Sequence, residues 1–374
     1  MDRPARPADT EGRAVKILMA FNRDLNPYVD VLAAGLAAAG CPVDMGTEKF
    51  WNADLFDHDV VHIQWPETLF DWRVPSAIEM EFLRRRLKEV HARAKIVYTL
   101  HDEVSHHANE TNAAALAELY SLVQSECDAM VHLGEASRRD WSARPEGAGK
   151  RHVVIPIPVY DELYAPPAGP DREAARRQLG IPRNRKVVLA FGNFRYAAEK
   201  RLAADAVAAL RDRRICLLAP KWHKARDYSF SPVHPMLALR SARKAAWAWR
   251  RGWKLGAKKI MADENVARHF AAADVVFIPR QAELNSGNVP MGFWFGKAVA
   301  GPDCGNIGEW LRATGNPVFH AADPESVRSA LKEALRRSAA GQGERNRAFA
   351  VANWTTRQIG EAHAQLYRSV HAGR

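Results

Sequence analysis

Cysteine is scarce. Cys41, Cys127, Cys216 and Cys304 are the four in 374 residues, and no two stand close enough for a Cys-x-x-Cys pair. That spacing gives no support to a zinc ribbon or a disulfide framework, and reduced thiols in a cytoplasmic setting are the simplest reading. Long apolar runs are also missing: no uncharged stretch approaches the roughly 20 residues that span a bilayer. The opening segment, residues 1–14, is rich in Pro, Arg and Asp, lacks the apolar centre of a signal peptide, and reads as a disordered N-terminus. Acid is the minority charge, 43 Asp and Glu against 54 Lys and Arg, which leaves a formal net charge of +11. An anionic partner is therefore expected, whether nucleotide, acidic glycan, lipid surface or nucleic acid, and charge alone does not choose among them.

Apolar residues are plentiful, 47% of the chain, enough for two domains of ordinary size with a core each. Short apolar runs alternate with amphipathic segments, the pattern of parallel sheets covered by helices on both faces. A first series of strands is expected at 15–21, 60–65, 95–100, 129–133 and 153–156, with helices starting near Pro27 and spanning 77–91. The proline-rich stretch 155–170 breaks the pattern and reads as the connection between domains. A second series follows at 186–192, 215–219, around 259–261, 275–279, 298–300 and 318–319, with helices over 199–210 and 325–337. A last helix, 355–371, carries apolar Ile359, Ala362, Leu366 and Val370 at helical spacing, so one face is to be buried. The expected organisation is an N-terminal domain over 15–165 and a C-terminal domain over 166–354, followed by that helix.

In open parallel sheets ligands sit beyond the carboxyl ends of strands, so candidate residues should follow strands. The richest such stretch runs from Ala273 to Glu309. The apolar run Val275–Pro279 is followed by Glu283-Leu-Asn-Ser-Gly-Asn288, and Ser286, Gly287 and Asn288 open a helix whose first N–H groups can hold a diphosphate without a metal. Then come Phe295-Gly-Lys-Ala-Val-Ala-Gly-Pro-Asp303 and Asp303-Cys-Gly-Asn-Ile-Gly-Glu309. This order resembles the C-terminal half of nucleotide-sugar glycosyltransferases of the GT-B architecture, in particular the large retaining family marked by a Glu-x7-Glu signature and a following Gly-Lys-Pro-Val-like strand. Glu283 matches the first glutamate, while Met291 stands at the second position.

The resemblance implies an α/β fold of two Rossmann-like domains whose parallel sheets face across a cleft, with the C-terminal helix, about 355–374, crossing back to the first domain. Arg195-Tyr-Ala-Ala-Glu199-Lys200 looks like the family's Arg-x-x-x-Glu-Lys element, whose two cations hold the departing diphosphate. Chemically, sugar transfer leaves negative charge on phosphate, and a cation clamp stabilises it most in the transition state; a solvated helix start is the plainer account. Glu283 would contact a sugar hydroxyl, or else be an exposed loop carboxylate. Glu309 supports the donor pocket as part of a Gly-Gly-x-x-Glu-like turn. Met291 in place of the ribose-holding glutamate is equally at home in a core.

In the first domain, His101 follows the strand 95–100 in the run Tyr-Thr-Leu-His101-Asp102-Glu103, at a place where members of the resembled family carry a histidine facing the donor sugar. A neutral imidazole can hydrogen-bond sugar hydroxyls, and Asp102 or Glu103 could orient the acceptor or take its proton. His106 and His107 crowd the segment, but no pair stands at i and i+4, so a metal is not expected there. Asp57-His58-Asp59 imitates a cation-binding Asp-x-Asp motif, yet it precedes its strand and so lies at the wrong end of the sheet. After that strand, His62-Ile-Gln64-Trp65-Pro66-Glu67 resembles the family's Val-His-Ile-His-Trp-Pro segment, and Gln64, Trp65 and Glu67 are acceptor-side candidates, a buried tryptophan being the alternative. Asn26-Pro27-Tyr28 caps a helix and, in the family, approaches acceptor or donor phosphate.

The least family-like segment is 236–259, with eight Lys or Arg and no acid. On a helical wheel Arg240, Arg243, Lys244, Arg250, Arg251 and Lys254 share a face with Trp247, opposite Ala238, Ala242, Ala245, Trp249 and Trp253. Such a basic helix can lie on anionic lipid or be a solvated insertion packed through its alanines. The expectation is a retaining, metal-independent glycosyltransferase with no cofactor, moving a sugar from a nucleoside-diphosphate sugar to a glycan or lipid-linked acceptor in polysaccharide or glycoconjugate synthesis. It would be cytoplasmic and able to sit peripherally on the inner membrane face, with nucleic acid not expected as a partner. The rival reading is a non-catalytic protein of the same fold that uses its basic surface for anionic lipid or nucleic acid.

Overall fold

A computed structural model describes residues 15–103, 105, 108–164, 171–223, 243, 246–257 and 261–373. The N-terminal segment 1–14, His106, His107 and most of 236–245 lie outside the described residues, so what the sequence predicts for them stands as expectation. The described residues fall into two compact units. One lies within Met1–His132, Trp141–Ile155 and Arg357–Arg374, the other within Leu133–Asp140 and Pro156–Thr356.

The first unit is built on a six-stranded parallel sheet, spatial order β2-β1-β3-β4-β5-β6. Its strands are β1 (Ile17–Met19), β2 (Val43–Met45), β3 (Val60–Ile63), β4 (Lys95–Leu100), β5 (Ala129–His132) and β6 (Arg151–Val154). Between them run α1 (Pro27–Ala38), α2 (Thr47–Trp51), α3 (Ala77–His91) and α4 (Ala113–Glu126), while α5 (Glu135–Ser142), which follows β5 in the chain, lies mostly in the second unit. β2, too short and mixed to stand out in sequence, is the strand the first series lacked. α3 starts where Ser76 and Glu79 cap each other's backbone N–H in a capping box, and it buries Met80, Leu83, Leu87 and Val90 along one stripe.

The second unit carries a sheet of order β12-β11-β10-β7-β8-β9, again six-stranded and parallel. It comprises β7 (Lys186–Leu189), β8 (Ile215–Ala219), β9 (Lys254–Leu255), β10 (Val275–Phe277), β11 (Ala298–Pro302) and β12 (Val318–Phe319). β9 precedes the strand expected around 259–261, of which residues 259 and 260 lie outside the described residues, and because β9 falls inside the basic segment that segment is no continuous helix. Residues 246–251 are helical, and Gly252 then turns the chain at φ +65° into the strand. Trp253 is buried at 6% exposure and Trp249 stands out at 80%, so the two do not share the face the helical wheel gave them.

The helices here are α6 (Arg172–Gln178), α7 (Ala197–Ala209), α8 (Asp263–Ala272), α9 (Asn288–Trp294), α10 (Gly305–Ala313), α11 (Pro324–Ala339) and α12 (Gln342–Asn353). Successive strand residues feed two cores. Val187, Leu189, Val276 and Val299 pack on one face of the sheet, whereas Val188, Ala190, Val275 and Ala298 pack on the other, as the period of two requires. Arg176, 3% exposed, is tolerated because its guanidinium bonds the Ala272, Arg183 and Arg185 carbonyls and pairs with Asp274 at 2.7 Å. All four cysteines are free thiols, three of them buried.

The chain ends in α13 (Thr356–Ala372), which packs into the first unit against α1. A Cβ on Gly360 would stand 2.2 Å from the backbone oxygen of Gly35, so the two helices cross in near backbone contact. Tyr367 and His363, one turn apart on α13, reach the buried His62 of β3, the Tyr367 hydroxyl lying 2.6 Å from its Nδ1. Among the described residues no helix is long and apolar enough to cross a membrane.

Candidate active site

Each sheet has one place where the chain reverses its direction of growth. In the first unit β1 leads outward to β2, then the chain returns to lay β3 on the other side of β1. In the second, β7 leads to β8 and β9 before β10 returns beside it. The loops after β1 and β3, and those after β7 and β10, therefore diverge and leave a crevice at the carboxyl ends of the strands.

The first of these crevices is aromatic. Trp65, following β3, stacks on His101, following β4, with ring centroids 3.9 Å apart and planes at 16°. Tyr28, in the first turn of α1, meets the same imidazole edge-on at 5.0 Å, and Phe21 lies 5.7 Å from Trp65. Asn26 caps α1 through its side-chain oxygen on the Tyr28 N–H, which fixes where that ring begins. His101 is 7% exposed, and its Nε2 lies 2.8 Å from Oε1 of Gln64. An amide oxygen only accepts, so that bond requires the proton on Nε2. The Gln64 amide nitrogen is held in turn by Met19 Sδ at 3.3 Å and the ring of His62. His62 is wholly buried, and burial drives its imidazolium form well below the usual histidine range.

Asp102, 8% exposed, follows directly. Glu67 is elsewhere: it sits in the short turn Pro66–Phe70, is 2% exposed, and accepts the Tyr120 hydroxyl of α4 at 3.1 Å. The structure thus joins Gln64, Trp65 and His101 into one contact group and leaves the Glu67 carboxylate inside the core. Asp57-His58-Asp59 is likewise structural. Asp59 accepts the Lys16 N–H, His58 meets Asp44, and Asp57 pairs with Lys16, all at the amino end of β3.

The crevice between β7 and β10 is charged. Gly192, at φ +93°, turns the chain after β7 and lets Arg195 and Glu199 face the loop after β10. Glu199, 1% exposed, accepts the Arg195 N–H at 2.7 Å and is paired with Arg280 at 2.5 Å. Arg280 also donates to the Asn193 carbonyl, which ties the two loops together. Oε1 of Glu283 lies 3.7 Å from Arg195 and 3.9 Å from Arg280, while Oε2 accepts the N–H groups of Gln281 and Ala282. Arg195, Glu199, Arg280 and Glu283 therefore form one network of alternating charge. Lys200 follows Glu199 in the first turn of α7 and is half-buried.

Ser286, Gly287 and Asn288 lead into α9 beside this network. The Asn288 N–H is taken by Ser286 Oγ at 3.3 Å, and its side-chain amide donates to the Phe191 carbonyl at the end of β7. Asn288 thus braces the crevice. Met291 is 9% exposed and packs in the core behind it. Glu309, on α10 after β11, is set apart from the charged network: its Oε1 accepts the Glu135 N–H at 2.9 Å, at the start of α5. Two neighbours were missed in sequence. Arg280 follows the strand run Val275–Pro279 immediately, so the rule that sites follow strands could have found it. Tyr160, whose hydroxyl lies 3.4 Å from where a Cβ on Gly287 would stand, gave no such signal. Among the described residues no group of three or more His, Cys, Asp or Glu side chains is placed to hold a metal ion.

No protein-family model matches the sequence, and a search among curated proteins finds no match. Solved structures do share the fold. Sucrose-phosphate synthase from Thermosynechococcus elongatus is similar at 15% identity and a TM-score of 0.65, covering 97% of this chain and 100% of that one. Anabaena HepE, in complex with UDP-glucose, is similar at 17% identity and TM-score 0.65, over 95% and 100%. An α,α-trehalose 6-phosphate synthase from Burkholderia multivorans matches at 15% identity and TM-score 0.53, over 92% and 76%. At these identities the likeness establishes the fold: two six-stranded parallel sheets with covering helices, the GT-B fold expected from sequence.

Proposed function

We propose that the chain is a glycosyltransferase that moves a sugar from a nucleoside-diphosphate sugar to a glycan or lipid-linked acceptor in polysaccharide or glycoconjugate synthesis. The observation that carries this reading is the charged crevice between β7 and β10, where Arg195 and Arg280 converge on Glu283 at the switch point of the sheet. UDP-glucose in the HepE complex supports a nucleotide sugar as the donor class.

In this reading Arg195 and Lys200, with the Ser286–Asn288 turn, stabilise charge as it gathers on the departing diphosphate, so no divalent cation is required. Arg280 holds Arg195 in place through Glu199 and faces Glu283 directly. Glu283 accepts from a hydroxyl of the donor sugar. His101 presents a ring of fixed tautomer to the sugar, and Asp102 orients the acceptor hydroxyl. The sugar keeps its anomeric configuration, by analogy with the retaining family.

A thermal-shift panel of UDP-, GDP- and ADP-sugars tests the donor site. One of them is expected to raise the melting midpoint, since a ligand at a hundred times its Kd stabilises by about 2.7 kcal/mol. Arg195→Ala/Lys200→Ala is expected to abolish that shift and to slow transfer by roughly 10²–10³-fold. The proposal fails if no nucleotide stabilises the protein and the double variant transfers sugar like the parent. Met291, buried where the resembled family holds ribose, favours one second reading, a binding protein of the same fold. Nucleotide-sugar binding without turnover on any acceptor would select it.

A further inference from the structure

The amino ends of β7 and β8 carry a feature that sugar transfer does not use. A hollow of about 770 Å³ opens there, lined by Arg211, Arg213, Arg250 and Arg251, with Trp249 among its walls. Arg185 stiffens it by donating to the carbonyls of Arg213 and Arg251, tying three chain segments into one surface. Asp212, a carboxylate in the lining, is already paired with Arg214, whose hydrogen bond holds it below the usual carboxylate range. Arg211, Arg213 and Arg250 are exposed and form no ion pair or side-chain hydrogen bond among the described residues. Arg251 lies over the Trp247 ring at 4.5 Å. Trp249 stands 80% exposed beside these cations, an apolar ring left in water.

We propose that this face docks on an anionic lipid surface, with Arg211, Arg213 and Arg250 meeting headgroup phosphates and the Trp249 indole entering the interface. A lipid surface satisfies both features at once: cations neutralise phosphate, and a tryptophan is most stable at headgroup depth, half wet and half apolar. The hollow lies at the opposite end of the sheet from the charged crevice, because β7 and β8 begin at Lys186 and Ile215 while Arg195 follows the far end of β7. Docking there leaves the crevice open to solvent. The attachment goes beyond the transfer reaction and stands or falls independently of it.

The test is co-sedimentation of the full chain with vesicles of phosphatidylcholine alone and of phosphatidylcholine with phosphatidylglycerol. Binding is expected only with phosphatidylglycerol, and to weaken as salt rises. Arg211→Ala/Arg213→Ala/Arg250→Ala is expected to weaken it roughly a hundredfold, about fivefold per arginine at an anionic surface. Its melting midpoint should match the parent's. The matching triple lysine variant keeps the charge and should still bind, and Trp249→Ala should weaken binding while leaving its salt dependence in place. Binding indifferent to phosphatidylglycerol would overturn the proposal, as would a triple alanine variant that sediments like the parent. Displacement from vesicles by inorganic phosphate, beyond that caused by sodium chloride at the same ionic strength, would overturn it too, by reducing the hollow to a small-anion site. So would single-stranded DNA that binds tightly through the same arginines while vesicles do not.

Discussion

At the scale of single residues, the histidine after β4 shows how a side chain acquires a role through its neighbours. His101 alone in sequence is a residue of several uses. Stacked on Trp65 and bonded through Nε2 to the Gln64 oxygen, it has a set orientation and a set tautomer. The resembled family carries a histidine where this chain has Gln64, so an acceptor that never titrates has replaced a group that does. Gln64→Glu puts a carboxylate opposite Nε2 and should favour the imidazolium. Gln64→Leu removes the acceptor and should leave the ring free to exchange tautomers. Nitrogen-15 imidazole spectra across a pH titration read both effects. A His101 resonance that titrates alike in parent and Gln64→Glu would show that the bond does not set the ring's protonation. Where the transfer reaction is assayed, the acid limb of its pH profile should differ between parent and Gln64→Glu, a response that loss of packing alone does not give.

At the scale of elements, α13 shows tolerance confined to glycine. Its crossing with α1 depends on Gly35 and Gly360, and a methyl at 360 would press on backbone that has no side chain to move aside. Gly360→Ala should destabilise the first unit by about 1–3 kcal/mol, even though alanine favours the helix locally. Denaturant unfolding followed by circular dichroism measures it, and an unchanged or stabilised Gly360→Ala would mean that the helices part without cost. Most elements were legible because burial leaves a clear signature. Lys95–Leu100, largely apolar after its first lysine, and the wholly apolar Ile215–Ala219 are bounded by polar segments, and they are strands at those limits. Ala77–His91 carries its start signal in Ser76 and Glu79.

What sequence did not reveal follows from the same physics. β2 has one buried residue in three and so no apolar run, while β9 is two half-buried residues at a sheet edge. The basic segment mimicked one long amphipathic helix because Gly252, which ends the helical stretch, sits among residues whose spacing still fits the wheel. In the site, positions after strands were readable, whereas partnership was not. Nothing in the order of residues says that Glu199 is buried against Arg280, that Asn288 spends its amide on Phe191, or that Glu309 turns to the Glu135 N–H. Those bonds join residues 81, 97 and 174 positions apart.

At the scale of the whole molecule, the two units store their buried ionisable groups in different pH ranges. In the first, burial lowers His363 to about 4 and drives His62 lower than usual as well. The unfolded chain takes up these protons near pH 6.5 and the folded one does not, so between about 6.5 and 4 unfolding binds protons and stability falls with acid. Above 6.5 the contribution is fully present. For His363 the loss reaches on the order of 3 kcal/mol by the bottom of that window. In the second unit, burial brings Lys297 down to about 8, with Asp274 opposing it. A lowered lysine is a penalty below pH 8 that is relieved as pH rises toward 10.5, so stability climbs through an alkaline window. Two substitutions separate these terms. His363→Leu removes a ring whose Nε2 has no partner among the described residues, and it should flatten the fall in melting midpoint between pH 6.5 and 4.5 while leaving alkaline behaviour unchanged. Lys297→Met should raise the midpoint at pH 7 and abolish the alkaline rise. Parallel midpoint curves for parent and both variants, across the whole range, would show that neither buried group governs the pH dependence of the fold.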